Sequence, residues 1–254
     1  MKKIIMVIVV FLLFICVASS LMLVSCEKPS DCVKSTGAII TKEFAVTPFE
    51  NIYIYKGIAL VITEGPEYKV SVETGENLME DISVKIENNS LVLRDNTSCN
   101  WVRKYGHTTV YVTAPNVIEI HSKTERDISS NGVLTYPILR LIAVDQGEGA
   151  PTNDFHFQVN NFQTVIENNN VSRFYISGTT NEVLVNFYDG NGRFEGENLI
   201  AKSVKVFHRG SNDMIVHPTE TITGKMVSTG NVVLKNVPPI VSVEQLYQGQ
   251  VIYP

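Results

Sequence analysis

The stretch "VFHRGSNDMIV", residues 206–216, sets two apolar, alternating segments on either side of a small polar knot, Gly210-Ser211-Asn212-Asp213. Such a knot is either a ligand loop or the corner between one strand and the next. It returns in looser form as "DGNGRF" from 189, "STGNVV" from 228 and "YQGQVI" from 247, so one explanation must serve all four. The residue just before each returning strand falls at Asn181, Gly192, Asn212, Gly230 and Gly249, with intervals of 11, 20, 18 and 19 residues. A period near twenty suits one coil of a β-solenoid, and the short first interval marks either a shortened turn or a different register. Gly and Asn tolerate the positive φ of a left-handed corner. Val183, Phe194, Met214, Val232 and Val251 then point into a shared core, each beside a different polar group: Glu182, Arg193, Asp213, Asn231 and Gln250. A catalytic or metal-binding ladder would hold one kind of group at that position. Acid, base and amide in turn read as a corner.

Outward from the knot, the alternation of apolar and polar residues runs through almost the whole chain: "NIYIY" (51–55), "IALVIT" (58–63), "YKVSVE" (68–73), "ISVKIE" (82–87), "SLVLR" (90–94), "TTVYVT" (108–113), "FHFQV" (155–159) and "EVLVNF" (182–187). Period two is the signature of strands with one face buried. The one helical turn expected lies near "GENLMEDI" (75–82), too short to change the all-β class.

The N-terminus is of another kind. Lys2 and Lys3 precede an apolar run ending in Leu23-Val24-Ser25-Cys26. Charge followed by a long apolar segment is the order of an export signal, and the last four residues resemble a lipobox, with Cys26 as the thiol that receives the lipid. An uncleaved membrane anchor is the competing reading, since the run approaches the ~20 residues that span a bilayer. Residues 1–25 are thus expected to be a signal peptide and 26–38 a lipidated tether, with 39–254 folded: N-terminal strands over 39–130, regular coils over about 131–254. Several buried acyl chains, at ~0.8 kcal/mol per methylene, would hold the protein durably on a membrane. Glu27 and Asp31 resemble the acidic residues that send some lipoproteins to the cell surface.

Without residues 1–25, 19 basic residues face 26 acidic ones, a formal charge of −7, which excludes a nucleic-acid partner. Cys32 and Cys99 remain in a compartment that permits oxidation, either as one disulfide or as two thiols. They are too few for a zinc site, and His107, His121, His156, His208 and His217 show no metal-binding spacing. "DGNGRFEGE" (189–197) offers Asp189, Asn191, Glu195 and Glu197 as oxygen ligands, but Arg193 takes the place where a calcium loop needs an oxygen. No cofactor motif is present. A glycan-active β-helix enzyme would need Asp, Lys and Arg converging across coils. Lys202, Lys205, Arg209, Lys225 and Lys235 do not recur at one coil position beside Asp189, Asp213 or Glu195. Trp101, Arg103 and Tyr105, in "CNWVRKYGH", form the candidate ligand patch, because aromatics beside a cation suit sugar or peptide recognition. Covering the core is the alternative role for Trp101 and Tyr105.

Phe49, Ile52, Gly57 with "ALVITEG", "YKVSVETGENL" (68–78), "SLVLR", "CNWVRKY" (99–105), "TVYVTAPN" (109–116) and the closing "GQVIYP" (249–254) together resemble the bacterial auto-transporter adhesin family with the head GIN domain. The resemblance implies a β-helix-like fold of small glycine-cornered coils on a cell-surface or periplasmic lipoprotein, and it brings no catalytic residues. This chain departs from the family's usual Ser-Gly-Ser-Gly-Asp corner by placing Asn212 where glycine is usual. The expectation is therefore an all-β, right-handed β-helix-like solenoid with Gly/Asn corners. It would be a lipid-anchored, non-catalytic binding or adhesion module in the cell envelope, probed through an unknown glycan or protein ligand. A β-helix enzyme acting on glycans and a purely structural envelope spacer are the alternatives.

Overall fold

The computed structural model describes residues 34–97, 108–145, 147, 149 and 151–254. The strands are β1 (Ile39–Phe44), β2 (Asn51–Tyr55), β3 (Ile58–Glu64), β4 (Lys69–Gly75), β5 (Ile82–Glu87), β6 (Ser90–Asp95), β7 (Thr108–Ala114), β8 (Glu119–Lys123), β9 (Ile128–Leu134) and β10 (Ile138–Ala143). The long strands β11 (Asp154–Asn168), β12 (Arg173–Phe187), β13 (Arg193–His208) and β14 (Met214–Met226) follow, then β15 (Val232–Leu234), β16 (Ile240–Gln245) and β17 (Val251–Ile252). Among the described residues the one helical element is a 3-10 turn at Met79–Asp81, inside the stretch where the sequence suggests a turn.

These strands form a β-solenoid of two stacked sheets. In the first, β7, β3, β9, the N-terminal halves of β11 to β14, β15 and β17 pair in parallel. In the second, β6, β2, β8, β10, the C-terminal halves of β11 to β14, and β16 do the same. The two meet because β11 to β14 bend midway, where pairing skips a residue at Phe162, Asn181 and Lys202. Alternation does the rest: β2 and β3 bury every second side chain, among them Ile52, Ile54, Leu60 and Ile62 at 0% exposure.

The core is built of rows. One runs through Val110, Leu60, Ile128, Phe155, Phe174, Phe194, Met214, Val232 and Val251, each residue paired with the next. Facing it lies a second through Leu91, Ile52, Ile120, Leu141, Ile166, Val185 and Val206. Phe155 and Phe174 stack with centroids 4.6 Å apart, and each buried phenylalanine contributes about 1.5–3 kcal/mol.

Two sequence expectations need correction. The first concerns the short interval. Asn181, Glu182 and Val183 belong to the bend between the sheets and to the second sheet, where Val183 pairs with Thr164 and Val204. The true counterpart of Phe194 is Phe174, preceded by Ser172 and Arg173, so the row from Phe155 advances by 19, 20, 20, 18 and 19 residues. The second concerns why the corners carry glycine. Gly192, Gly230 and Gly249 do not have positive φ; among the corner glycines that conformation belongs to Gly190, at φ 83°. Space is the reason instead: a Cβ on Gly230 would sit 2.2 Å from the Asn212 carbonyl oxygen and 2.5 Å from His208 Nε2. The backbone of the preceding coil occupies the place of a side chain.

Chain order and stacking order also differ. The coil made by β2 and β3 lies between those of β6 and β7 on one side and β8 and β9 on the other. Beyond β6 and β7 the stack is closed by antiparallel strands: β5 on β6, β4 on β7, and β1 on β4. The link from β4 to β5 buries Leu78 and Met79, and Ile82 at the start of β5 is buried with them.

Candidate ligand-binding surface

The recurring knot is a corner with its own buried hydrogen bonding. His208 is 1% exposed; its Nε2–H donates to the Asn212 carbonyl at 2.8 Å, and its Nδ1 accepts from the Gly210 N–H at 3.3 Å. That arrangement uses both ring nitrogens of a neutral imidazole. Burial pushes His208 below the usual histidine range. Asn153 and Asn168 serve the earlier corners: Ser122 Oγ donates to Asn153 Oδ1 at 2.7 Å, and Asn168 Nδ2 donates to the Asn170 carbonyl at 3.1 Å.

Outside each corner runs the polar row Asp127, Asp154, Arg173, Arg193, Asp213, Asn231, Gln250, with Arg173 in the place the sequence reading gave to Glu182. Asp213 is held from both sides, by Arg193 Nη1 at 3.2 Å and Asn231 Nδ2 at 3.0 Å. The oxygens of the 189–197 stretch go to separate partners. Asp189 accepts from the Gly190 N–H, Asn191 from Ser211, Glu195 from Arg193, and Glu197 pairs with Lys235 at 3.3 Å. Glu182 accepts from Gln163 on the second sheet, and Lys225 stands over the Phe207 ring. Cys26, Cys32, Cys99, Trp101, Arg103 and Tyr105 lie outside the described residues.

A cleft of about 460 Å³ opens on the outer face of the second sheet, built of residues that no sequence motif links. Its side chains come from five chain segments: Tyr53 of β2, Glu119 and His121 of β8, Arg140 of β10, Glu167 of β11, and Tyr188 just after β12. Register brings them together. Tyr53 pairs with His121, Glu119 with Arg140, and His121 with Ile142, which in turn pairs with Glu167. Arg140 bridges Glu119 and Glu167, the latter at 2.7 Å through Nη2. His121 Nε2–H donates to the other Glu119 oxygen at 2.8 Å. The Tyr53 and His121 rings stack at 4.1 Å with an 8° tilt. Burial, outweighing Glu119, holds His121 below the usual histidine range. Burial also raises the Tyr53 and Tyr188 phenols, so both stay neutral donors. Beside the cleft the Arg94 guanidinium lies 3.4 Å from the Tyr55 ring centroid.

A wider cleft of about 560 Å³ lies on the first sheet, where His156 stacks on Tyr175 at 4.7 Å and Gln158, Ser177 and Glu197 line the wall. Among the described residues, no three His, Cys, Asp or Glu side chains gather as a metal site, and no helix is long and apolar enough to cross a membrane.

Coils joined through their own polar groups and stacked on one continuous apolar core define a β-solenoid. Residues 48–238 match the family described as "Putative auto-transporter adhesin, head GIN domain", and the chain belongs to that family. Solved structures share the fold at low identity. An adhesin-like protein from Bacteroides fragilis aligns with TM-score 0.76 at 20% identity, over 87% of this chain and 99% of its own. Two more from Parabacteroides align over the same shares, that of Parabacteroides distasonis with TM-score 0.64 and that of Parabacteroides merdae with 0.60, both at 14% identity. All three are described as putative adhesins. No curated protein matches. The family's adhesin character points to the cell surface or envelope and to a non-catalytic role.

Proposed function

We propose that the protein is a lipid-anchored binding module of the cell envelope, held on a membrane through Cys26 and presenting the flanks of the solenoid to a glycan or protein ligand. The observation that carries this reading is the self-satisfied corner row. Asp213 is bonded to Arg193 and Asn231, so the chemistry an enzyme would need at the corners is used to join one coil to the next. Adhesin-family membership, the N-terminal order of Lys2 and Lys3 before a long apolar run, and the acidic balance of the chain support the same reading. Two measurements test it. Mass spectrometry of the mature chain should find a diacylated N-terminal Cys26, and Cys26→Ala should leave the precursor uncleaved at that position. Cells carrying the chain should attach to immobilised glycans or envelope proteins more strongly than cells lacking it or carrying Cys26→Ala. An unmodified Cys26 rules out the lipid anchor, and equal attachment by the three strains rules out the binding role.

A further inference from the structure

We infer that the second-sheet cleft is a binding site for a neutral sugar residue, with Arg140, Glu119 and Glu167 as its hydrogen-bonding floor and Tyr188 as its apolar wall. The inference rests on the binding-module reading above and names the chemistry of its ligand.

Three properties of the cleft select that class. Charge is the first: Glu119 and Glu167 lie on either side of Arg140, and Lys123 also lines the cleft. An anion would meet two carboxylates and a cation would meet two basic groups, so a single charge of either sign is repelled by part of the lining. A purely apolar ligand would strip water from these ion-paired groups and offer no hydrogen bond in return. A polyhydroxylated neutral ring suffers neither penalty, because each hydroxyl both donates and accepts.

The second property is fixation. Arg140 is clamped by two carboxylates, Glu119 is also bonded to His121, and His121 is stacked on Tyr53. Groups held in this way lose little freedom when a ligand arrives, which favours recognition of a small, weakly interacting molecule. Third, the cleft combines this floor with an aromatic side. Tyr188 is 40% exposed, and Ile142, 8% exposed, adds an apolar patch to the same lining. A pyranose presents hydroxyls at its rim and C–H groups on its faces, and so matches a polar floor beside a ring. A volume of about 460 Å³ falls within the range of small-molecule sites.

The cleft on the first sheet supplies an internal control. It is open and carries His156, Tyr175 and Gln158, but lacks an arginine held between carboxylates. The full chain, purified in detergent, would be titrated with a panel of glucose, galactose, mannose, N-acetylglucosamine and their β-linked dimers, together with glucuronic acid and glucosamine as charged counterparts. Binding would be followed by saturation-transfer-difference NMR. At least one neutral sugar should bind saturably and at least tenfold more tightly than its charged counterparts. Glu167→Gln and Tyr188→Ala should each weaken it tenfold or more while leaving Tm within a few degrees, and Gln158→Ala should leave it unchanged. Absence of binding to every neutral sugar overturns the inference. So does tighter binding of the uronic acid or the amine, or retention of binding in both cleft variants. If cells still attach through the chain while no sugar binds in the cleft, the binding-module reading survives and the site assignment alone fails. If attachment is absent as well, both fail.

Discussion

The two halves of the solenoid reach the same cross-section by different routes. From β11 onward each coil stacks directly on its predecessor in the chain, and single long strands, bent at 162, 181 and 202, serve both sheets. Before β11 the strands are short, the coil of β2 and β3 is inserted between coils that follow it in sequence, and antiparallel strands close the end. Yet one core row passes through both, from Val110 and Leu60 to Met214 and Val232. Stacking in this protein therefore follows the match of inward rows, and chain order is free to vary wherever connections are long enough. The ends differ too. Leu78, Met79 and Ile82 close the core at the antiparallel end, whereas Val241, Val243 and Val251 at the other end are only partly buried.

The strongest test of that equivalence is a pair of cavities in the shared row. Leu60→Ala and Met214→Ala both truncate fully buried side chains, and each should cost about 2–5 kcal/mol in urea unfolding. A much smaller loss for Leu60→Ala would show the permuted half to be loosely packed and break the comparison.

The corners of the regular half come next. Gly230→Val drives a side chain into the Asn212 carbonyl and should cost about 2–4 kcal/mol. Asn231→Ala removes two side-chain hydrogen bonds, one donated to Asp213 and one accepted from the Gln250 N–H, and should cost about 1 kcal/mol. Equal midpoints for the two variants would mean that coil contact does not dictate the glycine.

Histidine titration offers a comparison of intermediate size, because the regular half buries His208 and the other half holds His121 half-buried. His208 and His121 are both held below the ordinary value of 6.5 by desolvation. The unfolded chain therefore takes up protons before the folded one. Stability is complete above about pH 6.5 and declines as pH falls from there toward the folded-state values, by at most about 1.4 kcal/mol per pH unit for each group. His208→Asn and His121→Asn should each flatten that slope between pH 7 and pH 5 in denaturant melts. A slope unchanged by both variants would mean that neither imidazole stays neutral in the fold.

The smallest effect belongs to the outer row. Asp213→Asn loses a partly exposed ion pair with Arg193 and should change stability by about 1 kcal/mol or less. Added calcium should leave Tm unmoved, since a ligand of the folded state raises it by mass action. A calcium-dependent rise in Tm that disappears in Asp213→Asn or Asp189→Asn would return the corners to a metal-binding role.

The sequence by itself determined the all-β class, the coil period, the corner position and the inward residues from Phe194 to Val251. These are encoded locally: alternation has a period of two residues, and a corner shows in a handful of adjacent positions. Asn181 misled because a bend between sheets and a turn between coils draw on the same small polar residues. Gly230 misled in its cause, because the neighbouring coil that fills the space of its Cβ is invisible along the chain. Only the tertiary structure decided the insertion of β2 and β3 between later coils and the assembly of Tyr53, His121, Arg140, Glu167 and Tyr188 into a cleft. The outward positions that build the cleft are mostly polar or aromatic, as they would be beside any strand. Which of them become neighbours is set by the packing of inward rows across long sequence separations, and that packing leaves no local mark.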